Sequence, residues 1–220
     1  MLLKDNEIKR SSGILMPIFT LPSPYGIGTL GKASRDFINF LQASNQSWWQ
    51  ILPVGPTSYG DSPYQSPSTH AGNPYFIDLD ILVEDGLLEQ SEIDALFWGD
   101  SPCLVDYGAL YENRYTLLQK VCERGWDRDF DRIEAFKSAN SYWLLDYALF
   151  MALKRHFNML SWLEWPDEDI RLRKPEAIKF YTEKLADDIR LFTYIQFLFF
   201  NQWNALREYA HEHSVGIIGD

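Results

Sequence analysis

The sequence predicts an α/β fold that opens with a parallel β-sheet and continues into a mainly helical region. Apolar runs at residues 13–19 and 47–54 are typical of buried strands. Between them, apolar residues at helical spacing over residues 30–43 predict a helix, with Ala33 and Phe37 on its apolar face. A strand, a helix and a second strand imply a right-handed crossover, and the two strands are therefore expected to be parallel.

Helical patterns dominate from about residue 80 to residue 213. Ser91 is a candidate N-cap, with Asp94 at the capping-box position, and Pro175 suits the first turn of a later helix. After these, residues 215–220 indicate the start of a third strand. The longer predicted helices cover residues 108–123, 130–137, 141–156 and 184–211.

The composition argues against several function classes. The formal net charge of −11 repels nucleic-acid phosphates and anionic lipids, so we expect neither a nucleic-acid nor a membrane partner. Residues 1–7 lack the apolar core of a signal peptide, and the apolar run 195–200 is too short to span a bilayer. Cys103 and Cys122 do not make a disulfide framework. These features predict a cytoplasmic location.

A long loop at residues 55–74 is the most informative part of the chain. Seven Gly or Pro residues interrupt it, and its tyrosines argue against disorder. The stretch Tyr59-Gly-Asp-Ser-Pro-Tyr64 places two phenols, a carboxylate and a hydroxyl directly after a predicted parallel strand. Flat apolar rings flanked by hydrogen-bonding groups suit a sugar ligand. The alternative is a rigid loop in which Asp61 and Ser62 bond their own backbone.

Two further motifs have weaker functional interpretations. Gly26-Ile-Gly-Thr-Leu-Gly31 matches the dinucleotide-binding pattern, but six residues separate it from the first strand and no acidic residue ends the second. His211-Glu-His213 does not suit a metal site on a helix, because positions i and i+2 point in different directions. We therefore predict no cofactor and no metal.

Several segments together resemble the opening of amylomaltases, the 4-α-glucanotransferases of the glycoside hydrolase family 77 type. The resemblance covers residues 10–220. The segments that carry it are Ser11-Ser-Gly-Ile-Leu-Met-Pro17, Leu21-Pro-Ser-Pro-Tyr-Gly-Ile-Gly28, Trp48-Trp-Gln-Ile-Leu-Pro-Val-Gly-Pro56, the loop 59–66 with Gly72-Asn-Pro-Tyr75, Asp146-Tyr-Ala-Leu-Phe-Met-Ala-Leu-Lys154, Trp162-Leu-Glu-Trp-Pro166, Gln196-Phe-Leu-Phe-Phe-Asn-Gln-Trp203 and Gly216-Ile-Ile-Gly-Asp220.

The resemblance implies the N-terminal part of a (β/α)8 TIM barrel, with its first two to three strands and a large, mainly helical inserted subdomain. Residues 1–79 would start the barrel and carry the substrate loop 55–75, residues 80–212 would form the insertion, and residues 213–220 would begin the third strand. The implied activity is transfer of α-1,4-glucan segments between maltooligosaccharides, with retention through a covalent glycosyl-enzyme.

The resemblance also implies roles for individual residues. Tyr64 matches a tyrosine that stacks on the donor sugar, and Ser62 matches a neighbouring substrate contact. Asp220 matches an aspartate that binds the glucose at the cleavage point. Tyr59 and Tyr107 match a second glucan-binding groove away from the catalytic centre.

The catalytic carboxylates of this family lie beyond the position of Asp220, so we assign no catalytic residue in this chain. We therefore expect an N-terminal fragment that is inactive by itself. The alternative hypothesis is a non-catalytic carbohydrate-binding or interaction module.

Overall fold

A three-stranded parallel sheet lies within a mixed α/β fold. The computed structural model describes residues 10–58, 60–101 and 103–220. The central strand β2 pairs with β1 on one side and β3 on the other, and both pairings are parallel, which confirms the predicted arrangement of the first two strands. The strands are short: β1 (Gly13–Leu15), β2 (Trp48–Gln50) and β3 (Gly216–Ile218).

Helices make up most of the rest of the described chain. The predicted helices are all present, with ends that differ from the prediction by a few residues. Short 3-10 helices occupy Ile18–Thr20, Pro74–Phe76 and Trp162–Glu164. The α-helices are α1 (Lys32–Ala43), α2 (Leu79–Glu84), α3 (Gln90–Asp94), α4 (Tyr107–Gly125), α5 (Phe130–Ala139), α6 (Leu144–His156), α7 (Glu168–Arg171), α8 (Pro175–Lys184) and α9 (Ala186–Glu212).

The first two strands were expected to be buried, and this expectation is wrong for one face of the sheet. Trp49 is fully buried and packs edge-on against Phe37 of α1, with ring centroids 5.1 Å apart. On the opposite face, Leu15, Trp48 and Ile218 are 52%, 40% and 42% exposed. Side chains of a strand point alternately to the two faces of the sheet, so an apolar strand has two apolar faces. The sequence does not show whether other elements cover both of them.

Helix α3 starts earlier than the sequence predicted. Its N-cap is Glu89 and not Ser91, and the N3 position belongs to Glu92 and not Asp94. The carboxylate of Glu92 accepts a hydrogen bond from the Glu89 backbone N–H at 3.1 Å. It also pairs with Arg124 and Lys120 of α4. This tertiary contact favours the start with Glu92 at N3, and local capping preference alone could not reveal it.

Helix α9 is the centre of the helical region. It packs against α1, α4, α5, α6 and α8 and also against β3. Every residue from 191 to 199 is buried, so this part of the helix is surrounded on all sides. Within the described residues, no helix combines the length and apolarity that a bilayer crossing requires. Residues 195–199 of the apolar run are buried in the core, and Phe200 is partly buried against it.

Two glutamines of α9 hold the chain segment that follows β2. Gln196 is fully buried, accepts a hydrogen bond from the Gly72 N–H at 2.7 Å and donates one to the Gly72 C=O at 3.0 Å. Gln202 makes the same pair of bonds with the backbone of Asp78, at 2.7 and 3.1 Å. A glutamine side chain carries an acceptor oxygen and an NH2 donor group, and it can therefore satisfy both the N–H and the C=O of one buried residue.

Replacing Gln196 with Leu is expected to lower the free energy of unfolding by about 2–4 kcal/mol, because the N–H and C=O of Gly72 would both stay buried without partners. Urea unfolding followed by circular dichroism measures the change. Gln42→Leu, at an exposed position of α1, serves as the control and should shift stability by less than about 0.5 kcal/mol. Equal effects of the two changes would show that the Gly72 bonds contribute nothing to the free energy of unfolding.

Candidate functional site

The loop after β2 is a closed turn with regular internal hydrogen bonds. The Ser58 N–H donates to the Gln65 C=O at 2.9 Å and so joins the two ends of the turn. Inside it, Asp61 has a φ of 55°, a left-handed conformation that aspartate tolerates better than most residues. Tyr59, one of the predicted substrate-binding residues, lies outside the described residues. Within the described residues, backbone hydrogen bonds thus close residues 60–66 into one turn that carries Tyr64, here called the tyrosine platform.

Ser62 has a structural partner inside the turn. Its hydroxyl oxygen accepts a hydrogen bond from the Tyr64 N–H at 3.3 Å, and its C=O accepts one from the Gln65 N–H at 3.0 Å. This is the local backbone bonding that the sequence offered as the alternative to a sugar contact. The hydroxyl proton remains free to point elsewhere, so the predicted substrate contact of Ser62 stays a prediction.

Tyr64 and Asp220, which are 156 positions apart, meet at one edge of the sheet. The Tyr64 hydroxyl donates to the Asp220 carboxylate at 2.5 Å. Tyr64 follows β2 and Asp220 follows β3, and the carboxyl ends of parallel strands lie at the same edge. The Tyr64 ring is 66% exposed, so its faces are open to a ligand. The structure thus brings together two of the residues predicted to bind substrate.

Tyr107 lies on another side of the same loop. Its ring centroid is 6.3 Å from that of Tyr75, and burial together with the nearby charge of Asp61 raises its pKa. The pKa of Asp61 is itself raised by burial, while a hydrogen bond from Thr57 acts in the opposite direction. Tyr107 therefore stands at the first turn of α4, against the Asp61 side of the loop.

The end of the loop is fixed by packing as well as by hydrogen bonds. A Cβ placed on Gly72 would lie 2.0 Å from the ring of Phe199 in α9, so only glycine fits there. The Asn73 N–H donates to the Val54 C=O at 2.8 Å, which brings the end of the loop back to its start. Together with the Gln196 bonds, these contacts set the position from which the tyrosine platform projects.

Arg114 is a structural residue that the sequence reasoning missed. It is fully buried in α4, donates to the Ile77 C=O at 3.0 Å, and lies over the Trp98 ring at 5.3 Å. Burial lowers its pKa to about 10, so it remains charged at neutral pH. The sequence could have indicated the burial of Arg114, because Arg114 lies on the same helix face as Leu110 and Leu117, which are also buried.

The glycines of the dinucleotide-like motif contact the protein itself. A Cβ on Gly28 would lie 1.9 Å from the Ile18 C=O, and one on Gly31 would lie 1.9 Å from the Asp78 carboxylate. Asp78 also accepts a hydrogen bond from the Thr29 hydroxyl at 2.5 Å. A carboxylate of the protein thus stands at the start of α1, where a dinucleotide fold would hold a phosphate.

The two histidines near the end of α9 have local roles. His211 lies in the last turn of the helix, and His213 stacks on Tyr209 with ring centroids 4.0 Å apart. Among the described residues, no group of three or more His, Cys, Asp or Glu side chains is arranged to hold a metal ion.

Comparisons with known proteins identify the family. The sequence model of glycoside hydrolase family 77, described as 4-alpha-glucanotransferase, matches residues 16–220. This chain belongs to that family. The amylomaltase of Streptococcus agalactiae, solved in complex with acarbose, superposes with a TM-score of 0.94 at 40% identity, over 96% of this chain and 43% of that one.

Two 4-alpha-glucanotransferases illustrate the family 77 relationship at the sequence level. The enzyme of Streptococcus pneumoniae is 47% identical over 213 residues, which are 96% of this chain and 42% of that protein. The enzyme of Thermus thermophilus is 40% identical over 218 residues, which are 97% of this chain and 42% of that protein. This chain therefore spans about two-fifths of the length of these relatives.

Replacing Asp220 with Asn is expected to lower the pKa of Tyr64. The hydrogen bond to the Asp220 carboxylate is the largest cause of the raised pKa of this phenol, because it stabilises the protonated form. Without the negative charge, the pKa should move toward the ordinary tyrosine value of about 10. NMR titration of the ring resonances measures it, and Tyr64→Phe identifies the signal. An unchanged pKa in Asp220→Asn would contradict the contact.

Proposed function

We propose that this chain forms part of the glucan-binding surface of a 4-α-glucanotransferase, which transfers α-1,4-linked glucan segments between maltooligosaccharides with retention. The observation that carries the proposal is the contact between Tyr64 and Asp220 at the carboxyl edge of the sheet. Membership of family 77 supports the reaction class. The amylomaltase that superposes on this chain was solved with acarbose bound.

The contact supplies the two elements that sugar recognition needs. The exposed Tyr64 ring offers a flat apolar surface for the C–H face of a glucosyl unit. The Asp220 carboxylate accepts hydrogen bonds and can therefore bind sugar hydroxyls beside that surface. Because each group holds the other in place, little ordering remains to be done when a glucan binds. Ser62, at the base of the same turn, is proposed as an additional contact.

A second groove is proposed on the Tyr107 side of the loop. Tyr107 and Asp61 are close enough for the charge of the carboxylate to raise the pKa of the phenol. This side of the loop again combines an aromatic ring with a polar group. We propose that Tyr59 and Tyr107 bind a glucan there, away from the Tyr64–Asp220 contact.

The chemical step requires groups beyond those assigned to this chain. Retaining glycosyl transfer uses a nucleophilic carboxylate and an acid/base carboxylate about 5–5.5 Å apart. In the family, these groups follow the position that Asp220 occupies here. The proposed task of the present residues is to bind and orient the glucan, so that the bond to be broken meets those carboxylates.

The sheet is proposed to be the beginning of a (β/α)8 barrel. The apolar face formed by Leu15, Trp48 and Ile218 would then line the barrel interior, since the opposite face is covered by α1. In this division, residues 1–79 start the barrel, 80–212 form a helical insertion and 213–220 belong to the third strand. A location in the cytoplasm remains a prediction.

A non-catalytic carbohydrate-binding module is the second candidate. It is favoured by the roles proposed for the residues of this chain, each of which binds glucan and none of which breaks a bond. The two candidates share the binding surface and differ in whether catalytic carboxylates act together with it.

The chain of residues 1–220 is expected to produce neither glucose nor longer maltooligosaccharides from maltotriose, because the assigned residues bind sugar and lack the paired carboxylates. Chromatography of the reaction mixture measures the products. The full-length Streptococcus pneumoniae relative, named 4-alpha-glucanotransferase, is the positive control. Turnover by the 220-residue chain would overturn the assignment of its residues to binding alone.

Tyr64→Ala is expected to weaken maltotriose binding roughly tenfold, since it removes an exposed stacking ring. Isothermal titration calorimetry measures the affinity. Phe180→Ala removes an aromatic ring of comparable exposure, 55%, from α8 and should leave affinity unchanged. Equal affinities of wild type and Tyr64→Ala would contradict the proposed binding surface.

A further inference from the structure

A cavity of about 220 Å³ opens between α4, α6 and α9, in the helical region. Its floor is aromatic and apolar, with Tyr115, Phe192 and Met151 from the three helices. Tyr111 stands at its side and is 47% exposed. The volume lies below the roughly 300–1,000 Å³ of pockets that enclose drug-sized ligands. The cavity therefore suits a single ring.

A stripe of tyrosines leads from the substrate loop to this cavity. Tyr107, Tyr111 and Tyr115 occupy positions i, i+4 and i+8 of α4, so they lie on one face at intervals of about 6 Å. Tyr111 contacts Tyr115 with ring centroids 5.6 Å apart, and Tyr75 lies between Tyr107 and Tyr115 at 6.3 and 6.4 Å. Ring contacts thus run from the Asp61 side of the loop to the cavity, by way of the buried Tyr75.

The Tyr115 hydroxyl is an unused hydrogen-bonding group at this site. Burial raises its pKa well above the ordinary value, and no hydrogen bond to another described residue contributes. Tyr115 is half-buried, so the hydroxyl takes a hydrogen-bond partner from water or from a ligand. Because Tyr115 lines the cavity, a ligand inside could supply one.

Arg155 and Gln119 form the polar wall of the cavity, which is held by a bond between them and by a bond from Arg155 to a residue outside the lining. Arg155 donates to the Asp188 carboxylate at 3.0 Å and to the Gln119 amide oxygen at 3.3 Å. The charge of Arg155 is therefore paired, and Glu112 adds a negative charge to the lining. This balance disfavours phosphates and other anions and suits a neutral ligand with hydroxyl groups.

We propose that the cavity between α4, α6 and α9 binds one glucosyl unit of an α-glucan, with the ring against Tyr111 and Tyr115 and its hydroxyls toward Gln119 and Arg155. The site is separate from the Tyr64–Asp220 contact and from the loop. It rests on the proposed function, since a glucan-binding surface supplies the ligand class. The tyrosine stripe gives a bound chain an aromatic path between the two regions.

The test uses maltose and follows backbone amide resonances of the protein by NMR. We expect maltose to shift the resonances of residues 111–119 and those of residues 60–66, each region with its own half-saturation concentration. Tyr111→Ala should raise the half-saturation concentration roughly tenfold for residues 111–119 and change it less than twofold for residues 60–66. Tyr64→Ala should raise the half-saturation concentration roughly tenfold for residues 60–66 and change it less than twofold for residues 111–119.

Two controls accompany the titration. Phe130→Ala removes an aromatic ring of matched exposure, 48%, from α5 and should leave both sites unchanged. Sorbitol, an open-chain polyol without a ring face, should not shift the resonances of residues 111–119. Saturable shifts with sorbitol would overturn recognition of a glucosyl ring.

Tyr115→Phe removes only the unused hydroxyl. We expect the Tm to stay within about 2 °C of wild type, because no protein hydrogen bond is lost. Maltose affinity at residues 111–119 should fall about fivefold, because the hydroxyl is proposed to bond the sugar. Unchanged affinity would overturn this part of the site.

The outcomes separate this inference from the proposed function. If maltose shifts residues 60–66 and leaves 111–119 unmoved, only the cavity site is wrong. If it shifts neither region in a folded protein, the proposed glucan-binding function is wrong as well.

Discussion

Two buried amide side chains of α9 fix the position of the chain segment that follows β2. Gln196 bonds the N–H and the C=O of Gly72, Gln202 bonds those of Asp78, and all four residues are buried. A hydrogen bond to a buried backbone group matters chiefly because its loss leaves that group unpaired. These four bonds therefore join residues 72–78, which include the 3-10 helix Pro74–Phe76, to the buried part of α9. The tyrosine platform depends on that junction.

The sequence could predict the fold where the signal was periodic and local. The strand–helix–strand opening followed from apolar spacing, and the parallel pairing followed from the crossover. The start of α3 could not be predicted, because the ion pairs of Glu92 with α4 compete with the local preference for Ser91. The sequence also could not predict that one face of the sheet is exposed, because an apolar residue such as Leu15 does not reveal whether another element covers it.

In the candidate site too, the sequence could predict features that depend on neighbouring residues but not contacts between residues far apart in the chain. Tyr64 could be selected from its loop, but only the folded chain brings it to Asp220. Composition left open whether the many aromatic residues serve the core or a ligand. Burial separates them: Tyr194 and Phe199 are enclosed in α9, whereas Tyr64 and Tyr111 present open rings. Arg114 went unnoticed because its role is to bond backbone groups of residues far away in sequence.

The sequence separation of these contacts sets an order for folding on the ribosome. Strands β1 and β2 can pair early, since only α1 lies between them. Each α9 glutamine bonds a residue 124 positions before it. At roughly 5–20 residues per second, translation needs about 6 to 25 s to make that stretch. During this interval the nascent loop lacks the partners that later fix its position.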